Sequence, residues 1–169
     1  PWNEFDSNNG WTFPSWVPQV TAIQVAPGVQ ANRSSYNLFF GFKNVKEIDL
    51  SNLDMRDVED MYSMFEGCSS LTSVKFPSTF QNNSVTDMSY LFINCKSLES
   101  INLENMSSNK LTNIQGMFQG CVSLKKLNLS NFNTDKVVNM EDLFYDCESL
   151  TDLDLSNFNT DKVVSMNNL

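Results

Sequence analysis

The chain has 169 residues, with 20 acidic and 11 basic side chains and no histidine, so its formal net charge at pH 7 is −9. The lack of histidine excludes a Ser-His-Asp triad and histidine-bound zinc. The excess of acidic side chains argues against nucleic acid as a partner, because proteins bind phosphates with clustered lysine and arginine. Apolar residues make up 41% of the chain, which is enough for one sizeable core. No apolar run approaches the roughly 18 residues that cross a bilayer, so we expect no membrane insertion by this segment.

The first 37 residues differ in composition from the rest of the chain. They include all three tryptophans: Trp2, Trp11 and Trp16. Residues 20–25 alternate weakly between apolar and polar, and the turn signal Ala26-Pro27-Gly28 follows them. We predict that residues 1–37 form an N-terminal cap, because the end of a stack of repeats needs apolar cover. An aromatic binding surface is the alternative.

From residue 38 onward the sequence repeats about every 26 residues. The period is marked by four cysteines at spacings of 27, 26 and 26: Cys68, Cys95, Cys121 and Cys147. Columns of phenylalanine, leucine, methionine and valine keep the same step, and the one extra residue is placed near Pro77-Ser78-Thr79. A fixed period of this length is typical of solenoids. Residues 38–169 hold a half unit plus about four and a half units, and we expect no cap at the C-terminal end.

Each repeat begins with a short alternating segment that predicts a strand with one buried face. The buried pairs are Ile48/Leu50, Val74/Phe76, Ile101/Leu103, Leu127/Leu129 and Leu153/Leu155. Because these segments occupy the same place in successive repeats, we expect them to form a parallel sheet.

A second segment of each repeat predicts one or two turns of helix. Five positions carry residues suited to a helix N-cap: Asp60, Asp87, Asn113, Asn139 and Ser165. Met61, Met64 and Phe65 then fall on one helical face. The expected helix ends are at residues that tolerate the left-handed conformation: Gly67, Asn94, Gly120 and Asp146. The predicted architecture is therefore an α/β solenoid.

The cysteine column is predicted to consist of buried thiols. Phe42 occupies the cysteine position in the half unit, so the position accepts an aromatic ring, and a free cysteine packs as a small apolar residue. Equivalent positions in adjacent coils have parallel Cα–Cβ bonds, which disfavours disulfides between coils. We therefore expect no inter-coil disulfide, no metal and no cofactor; thiol catalysis, metal binding and disulfides are the alternatives.

Several motifs resemble a known family. Leu150-Thr-Asp-Leu153-Asp-Leu155 is similar to the strand signature of leucine-rich repeats, and Phe65-Glu-Gly-Cys68-Ser-Ser-Leu71 resembles the BspA-like class of bacterial surface proteins. The usual asparagine ladder is replaced by an apolar column: Leu53, Phe80, Met106, Phe132 and Phe158. The resemblance implies a secreted or cell-surface protein that adheres to host proteins or other cells.

The outward side chains of the predicted strands are the candidate binding face. Its residues are Glu47, Asp49, Lys75, Asn102, Lys126, Asn128, Asp152 and Asp154. Repeat proteins commonly bind on such extended surfaces, and the lack of aromatic and arginine anchors predicts weak binding by one copy and avidity from many. We expect a non-catalytic, extracellular scaffold that binds a host or cell-surface protein. A structural spacer without a partner is the alternative.

Overall fold

Successive repeats lie side by side in the computed structural model, which describes residues 4–6, 10–78, 84–104, 106 and 109–169. Its strands are β1 (Glu4–Asp6), β2 (Gly10–Thr12), β3 (Ala22–Gln24), β4 (Glu47–Asp49), β5 (Ser73–Lys75), β6 (Ser100–Asn102) and β7 (Lys126–Asn128). A 3₁₀ helix spans Val17–Gln19. Among the described residues it is the only helix.

The predicted parallel strands are confirmed for four repeats. β3, β4 and β5 form one parallel sheet and β6 pairs with β7 in another, with Ile48 opposite Val74 and Ile101 opposite Leu127. β3 lies within the segment predicted as a cap, yet it pairs with β4 as the first strand of the stack. The fifth predicted strand is absent from the described residues, since 151–155 have no regular secondary structure.

The two parallel sheets are separated where the sequence has its extra residue. Asp49 pairs with Lys75, 26 residues on, whereas Asp60 bridges to Asp87, 27 residues on. The insertion therefore lies between Lys75 and Asp87, which agrees with the predicted position around Pro77 and Ser78; Thr79 lies outside the described residues. Strand pairing is interrupted at this point, and β5 and β6 belong to different sheets.

The predicted helices are replaced by consecutive turns. N–H groups of alternate residues donate to the next repeat rather than to the carbonyl four residues back; these bonds are Met61 to Asp87, Ser63 to Ser89, Phe65 to Leu91 and Gly67 to Ile93, at 2.9–3.0 Å. The residues between them close i to i−3 turns, as from Met64 to Met61. The left-handed conformation predicted at Gly67, Asn94, Gly120 and Asp146 is confirmed, although no helix precedes it in the described residues.

The predicted N-cap side chains hold these turns. Asp60, Asp87, Asn113 and Asn139 each accept, through Oδ1, the N–H two residues later at 2.7–3.1 Å. Parallel bridges join this column from Ser34 through Ser165. We call this part of each repeat the turn side, and it comprises residues 33–41, 59–67, 86–94, 112–120, 138–146 and 164–169.

The core between strands and turn side is built from stacked columns. Phe39, Phe65, Phe92, Phe118 and Phe144 form a continuous stack, with centroids 5.1–5.9 Å apart and planes within 11° of parallel. The predicted burial of the thiols is confirmed for Cys68, Cys95 and Cys121, whereas Cys147 is partly exposed. Each Sγ donates to the carbonyl of a stacked phenylalanine in the preceding repeat, at 3.1–3.2 Å.

The predicted apolar column is also observed. Leu53, Met106 and Phe132 are buried, and the rings of Phe132 and Phe158 are 6.3 Å apart. Phe80, the remaining member of that column, lies outside the described residues. Apolar stacking therefore occupies the position that an asparagine ladder would fill.

The N-terminal segment packs on the first coil through a few apolar side chains. Val17 is buried, Phe13 stacks on Phe40 at 5.7 Å, and the rings of Trp16 and Phe42 are 6.0 Å apart. The Phe13 ring lies so close to Gly41 that a Cβ there would be 2.3 Å from Cζ. Trp2 lies outside the described residues.

Candidate binding face

Six of the eight candidate residues lie on described strands. Glu47 and Asp49 are on β4, Lys75 is on β5, Asn102 is on β6, and Lys126 and Asn128 are on β7. Asp152 and Asp154 lie in the segment without regular structure, although both are exposed as predicted. The central strand residues Ile48 and Ile101 are buried, and Val74 and Leu127 are half-buried, so alternation places the candidate side chains outward.

Strand register brings two pairs of candidates together. Asp49 is opposite Lys75, and Lys75 Nζ lies 3.5 Å from Asp49 Oδ2 with the lysine side chain 69% exposed. Asn102 is opposite Asn128. Because the Asp49–Lys75 pair is open to solvent, its contribution to folding stability is small. Among the described residues, no hydrogen bond or ion pair joins the remaining candidates to one another. The break between β5 and β6 divides the face into two halves.

The column at the strand ends has a structural role that the sequence analysis did not foresee. Asp49, Asn102, Asn128 and Asp154 each accept, through Oδ1, the N–H two residues later at 2.9–3.1 Å. Lys75 is the exception in this column, and the residue two positions later is Pro77, which has no N–H to donate. The column carries Asp or Asn in four repeats and another residue only where proline follows two positions later. This pattern is the sequence signal for the turn.

These turns also set the charge state of two candidates. Hydrogen bonds from the Ser51 hydroxyl and N–H lower the pKa of the Asp49 carboxyl, with a smaller contribution from Lys75. Hydrogen bonds from the Ser156 hydroxyl and N–H lower the pKa of Asp154 in the same way. Both carboxylates are therefore ionised at neutral pH, and their negative charges are fixed in position at the ends of the strand segments.

Hollows open beside both halves of the face. A cavity of about 220 Å³ lies between β5 and β6, and Lys75, Asn102 and Met106 are among its lining residues. A wider hollow of about 750 Å³ beyond β7 is lined by Lys126, Asp152 and Asp154, together with Leu127. Five of the eight candidates thus border a concave surface.

The structure also groups residues that the sequence analysis did not single out. Tyr36 and Tyr62 stack at 5.3 Å, and Tyr62 meets Tyr90 edge-on at 5.6 Å. All three lie on the turn side, not on the strand face. The 26-residue spacing of Tyr36 and Tyr62 was the available signal. Tyr90 lies in the neighbouring column, since the residue equivalent to Tyr62 in the next repeat is Ser89 once the extra residue is counted.

The described residues include neither a cluster of metal ligands nor a membrane-spanning helix. In that part of the chain no three histidine, cysteine or acidic side chains are close enough to hold a metal ion. The same residues include no helix with the length and apolarity that a bilayer-spanning segment requires.

Comparison with known proteins places the chain in a family. The model of a family described as "Mycoplasma protein of unknown function, DUF285" matches residues 33–126 and again residues 86–169, so that the two matches together span 33–169. The chain belongs to the DUF285 family. No curated protein has a significant sequence match to it.

Solved structures similar to this DUF285 chain are bacterial leucine-rich-repeat proteins. One from Eubacterium ventriosum is 18% identical with a TM-score of 0.48, and the match covers 74% of this chain and 29% of that protein. One from Bacteroides ovatus is 19% identical with a TM-score of 0.43, covering 88% and 44%. The leucine-rich-repeat protein of T. pallidum is 17% identical with a TM-score of 0.40, covering 78% of each chain.

These similarities of the DUF285 chain to bacterial leucine-rich-repeat proteins are consistent with the resemblance that its sequence motifs indicated. The chain spans less than a third of the length of the Eubacterium protein and less than half of the Bacteroides protein.

Proposed function

We propose that this chain is a non-catalytic scaffold that binds a host or cell-surface protein through its strand face, as an extracellular adhesin segment. The observation that supports this most directly is the regular presentation of the candidate side chains. Parallel pairing holds Asp49 beside Lys75 and Asn102 beside Asn128, with neighbouring strands about 4.8 Å apart. A face of fixed polar groups of this kind suits recognition of a protein surface.

The chemistry of the face suggests which kind of partner it fits. The outward positions carry both charge signs, as in Glu47, Lys126 and Asp152, and none of the eight candidates is aromatic. Tight interfaces depend on buried aromatic and arginine anchors. We therefore expect weak binding by one copy and strong binding only when several copies engage together.

A charge-removal experiment tests the face directly. The variant Lys75→Ala/Lys126→Ala removes two exposed lysines from the strand face, one from each half. Binding to immobilised extracellular-matrix proteins is measured by surface plasmon resonance with the chain displayed in many copies. The matched control is Lys136→Ala/Lys162→Ala, which changes the net charge equally at exposed turns away from the strands. We expect only the strand-face variant to lose binding. Equal binding by both variants would count against this face.

A structural spacer is the second candidate, and the strand-end turns favour it. The Oδ1 atoms of Asp49, Asn102 and Asn128 are occupied by N–H groups of the chain itself. On this interpretation the column is polar because each strand must end in a turn. A spacer predicts that no matrix or cell-surface protein binds the multivalent chain in the same assay.

The extracellular location is a separate part of the proposal. It is supported by the resemblance to BspA-like surface proteins. The test is surface digestion of intact cells with a protease, followed by detection with an antibody against this chain. We expect the protein to be cleaved while the cells remain intact; protection until lysis would contradict the location.

A further inference from the structure

The turn side carries a ladder of tyrosine rings that the proposed function does not use. Tyr36, Tyr62 and Tyr90 form the tyrosine ridge, with centroids 5.3 and 5.6 Å apart. Tyr36 is 44% exposed, and Tyr62 and Tyr90 are partly exposed. The fourth tyrosine of the chain, Tyr145, lies on the same side and is 45% exposed. Every tyrosine of the protein is therefore on the turn side.

The surroundings of the ridge are acidic. Residues 59–67, 86–94, 112–120 and 138–146 contain seven acidic side chains and no lysine or arginine: Glu59, Asp60, Glu66, Asp87, Glu141, Asp142 and Asp146. In the first coil Arg33 supplies one positive charge, 3.3 Å from Glu59. The strand face, by contrast, mixes both signs. The turn side is thus negatively charged around the rings, although most acidic side chains of the protein lie elsewhere.

The rings and the carboxylates interact with one another. Burial raises the pKa of the Tyr62 hydroxyl, and the charges of Glu66 and Asp87 raise it further. Burial likewise raises the pKa of Tyr90, with contributions from Asp142 and Glu141. Tyr62 and Tyr90 are therefore neutral at physiological pH, and their rings lie within the negative field of these side chains.

Packing within the protein explains only part of this arrangement. Tyr90 lies over Gly116, where a Cβ would be 2.5 Å from its ring, so that ring has a structural role. Asp60 and Asp87 also hold turns through Oδ1, and Glu59 pairs with Arg33. Ring packing does not require the net negative charge that remains around the rings, and like charges at close range destabilise the fold. Both features suit a positively charged partner, since aromatic faces and carboxylates each attract guanidinium and ammonium groups.

We propose that the tyrosine ridge and its flanking carboxylates bind an arginine- and lysine-rich protein segment. Side chains on one side of an extended peptide recur about every 6.6 Å, and long cationic side chains on a peptide laid across the coils can converge on rings that are 5.3 and 5.6 Å apart. Two cationic side chains can then lie against successive rings while the acidic side chains pair with them. This surface differs from the proposed strand face, so the two can be tested separately.

The first test replaces one aromatic ring with an aliphatic side chain. A fluorescein-labelled octa-arginine peptide is titrated with the full chain, and anisotropy gives the dissociation constant at 0.05 and 0.15 M salt. Tyr62→Leu is expected to weaken binding about two- to fivefold, as for the loss of one exposed cation–π contact. Tyr62→Phe keeps the ring and is expected to bind as the parent does. Equal binding by the leucine variant would overturn the role of the rings.

The second test separates a local site from bulk charge attraction. Glu66→Gln/Asp87→Asn is compared with Asp152→Asn/Asp154→Asn, because both remove two negative charges and the second pair lies on the strand face. The ridge substitutions introduce residues found naturally in the same columns, Gln119 and Asn113, so both variants should fold, as thermal unfolding will show. We expect the ridge variant alone to weaken peptide binding by at least about threefold.

Three results would overturn the proposal. The octa-arginine peptide could fail to bind, or the two double variants could weaken binding equally. The third is binding of a neutral glucose oligosaccharide by the parent chain with no binding of the peptide, which would assign the ring ladder to carbohydrate stacking. None of these results bears on the strand face, whose test uses Lys75 and Lys126.

Discussion

Six residues at one place in successive coils have a left-handed backbone with φ between 51° and 56°. They are Asn37, Ser63, Tyr90, Gly116, Asp142 and Asn168. This conformation is disfavoured for residues with a Cβ and is tolerated best by glycine, asparagine and aspartate. Ser63 and Tyr90 are the costly members, and the turn's bonds to the adjacent repeats hold them in place.

Gly116 is the member of this column where two constraints meet. Gly116→Ala would place a Cβ at positive φ and 2.5–2.6 Å from the Tyr90 ring. We expect the substitution to lower the free energy of unfolding by more than about 1 kcal/mol. Urea denaturation provides the measurement.

A double-mutant cycle separates the two constraints at Gly116. In a Tyr90→Asn background the ring is gone, and asparagine occupies this column naturally at Asn37 and Asn168. Gly116→Ala should then cost only the left-handed strain, about 1 kcal/mol. An identical cost in both backgrounds would show that the ring moves aside freely.

At the scale of the element, the turn side shows why a helix was predicted and turns were found. The i, i+3, i+4 spacing of Met61, Met64 and Phe65 is satisfied by two successive turns as well as by a helix, and all three side chains are buried. Periodicity identifies buried positions but does not say where the N–H groups go. Here alternate N–H groups donate to the next repeat, an alternative that exists only because another repeat lies beside each one.

The candidate face was predictable to a similar degree. Two-residue alternation identified outward positions such as Glu47 and Asn102. The Asp49–Lys75 ion pair depends on the register between β4 and β5. The sequence of either strand alone does not specify that register. The repeat around Asp152 and Asp154 is nearly identical in sequence to the repeat before it, which predicted a fifth strand. No described strand lies there. Local pattern therefore specified the side-chain directions, whereas pairing with neighbours determined which strands formed.

The cysteine column predicts an order of chemical reactivity among its four thiols. Burial raises the pKa of Cys68 to about 12 and that of Cys147 to about 11, and it raises the pKa of Cys95 and Cys121. Only Cys147 is partly exposed. Because the thiolate is the reactive form, we expect iodoacetamide at pH 8 to label Cys147 first, and the other three only on unfolding.

Peptide mass mapping over time gives the order of cysteine labelling. Labelling in urea serves as the control, since all four thiols then react at the rate of a free cysteine. Early modification of Cys95, whose thiol is buried and donates to the Phe65 carbonyl, would contradict the packing of the column.

At the scale of the whole molecule, the two sides of the stack differ in continuity. The turn side runs unbroken between the repeats that contain β5 and β6, through the bridge from Asp87 to Asn113 and the stacking of Phe92 on Phe118 at 5.8 Å. The strand side is interrupted there, since β5 and β6 share no sheet. Repeat proteins are stabilised by contacts between neighbouring repeats, so the second and third repeats are coupled mainly through their turns and core.

Backbone hydrogen exchange can detect this asymmetry through one column. Lys46, Thr72 and Lys125 each donate an N–H to the preceding coil, at 2.8–2.9 Å. The described residues include no corresponding bond from the Glu99 N–H, which lies at the break. We expect the Glu99 amide to exchange at least about tenfold faster than those of Thr72 and Lys125.

The turn-side amides between the same two repeats provide the internal control in that experiment. Met88 and Phe92 donate across the boundary at 3.0 and 2.9 Å, so their amides should remain as protected as those elsewhere in the core. If Glu99 is protected equally, the sheet continues across the break in solution. If Met88 and Phe92 exchange as fast as Glu99, the two halves open as separate units, because the turns and the phenylalanine stack then fail to hold them together.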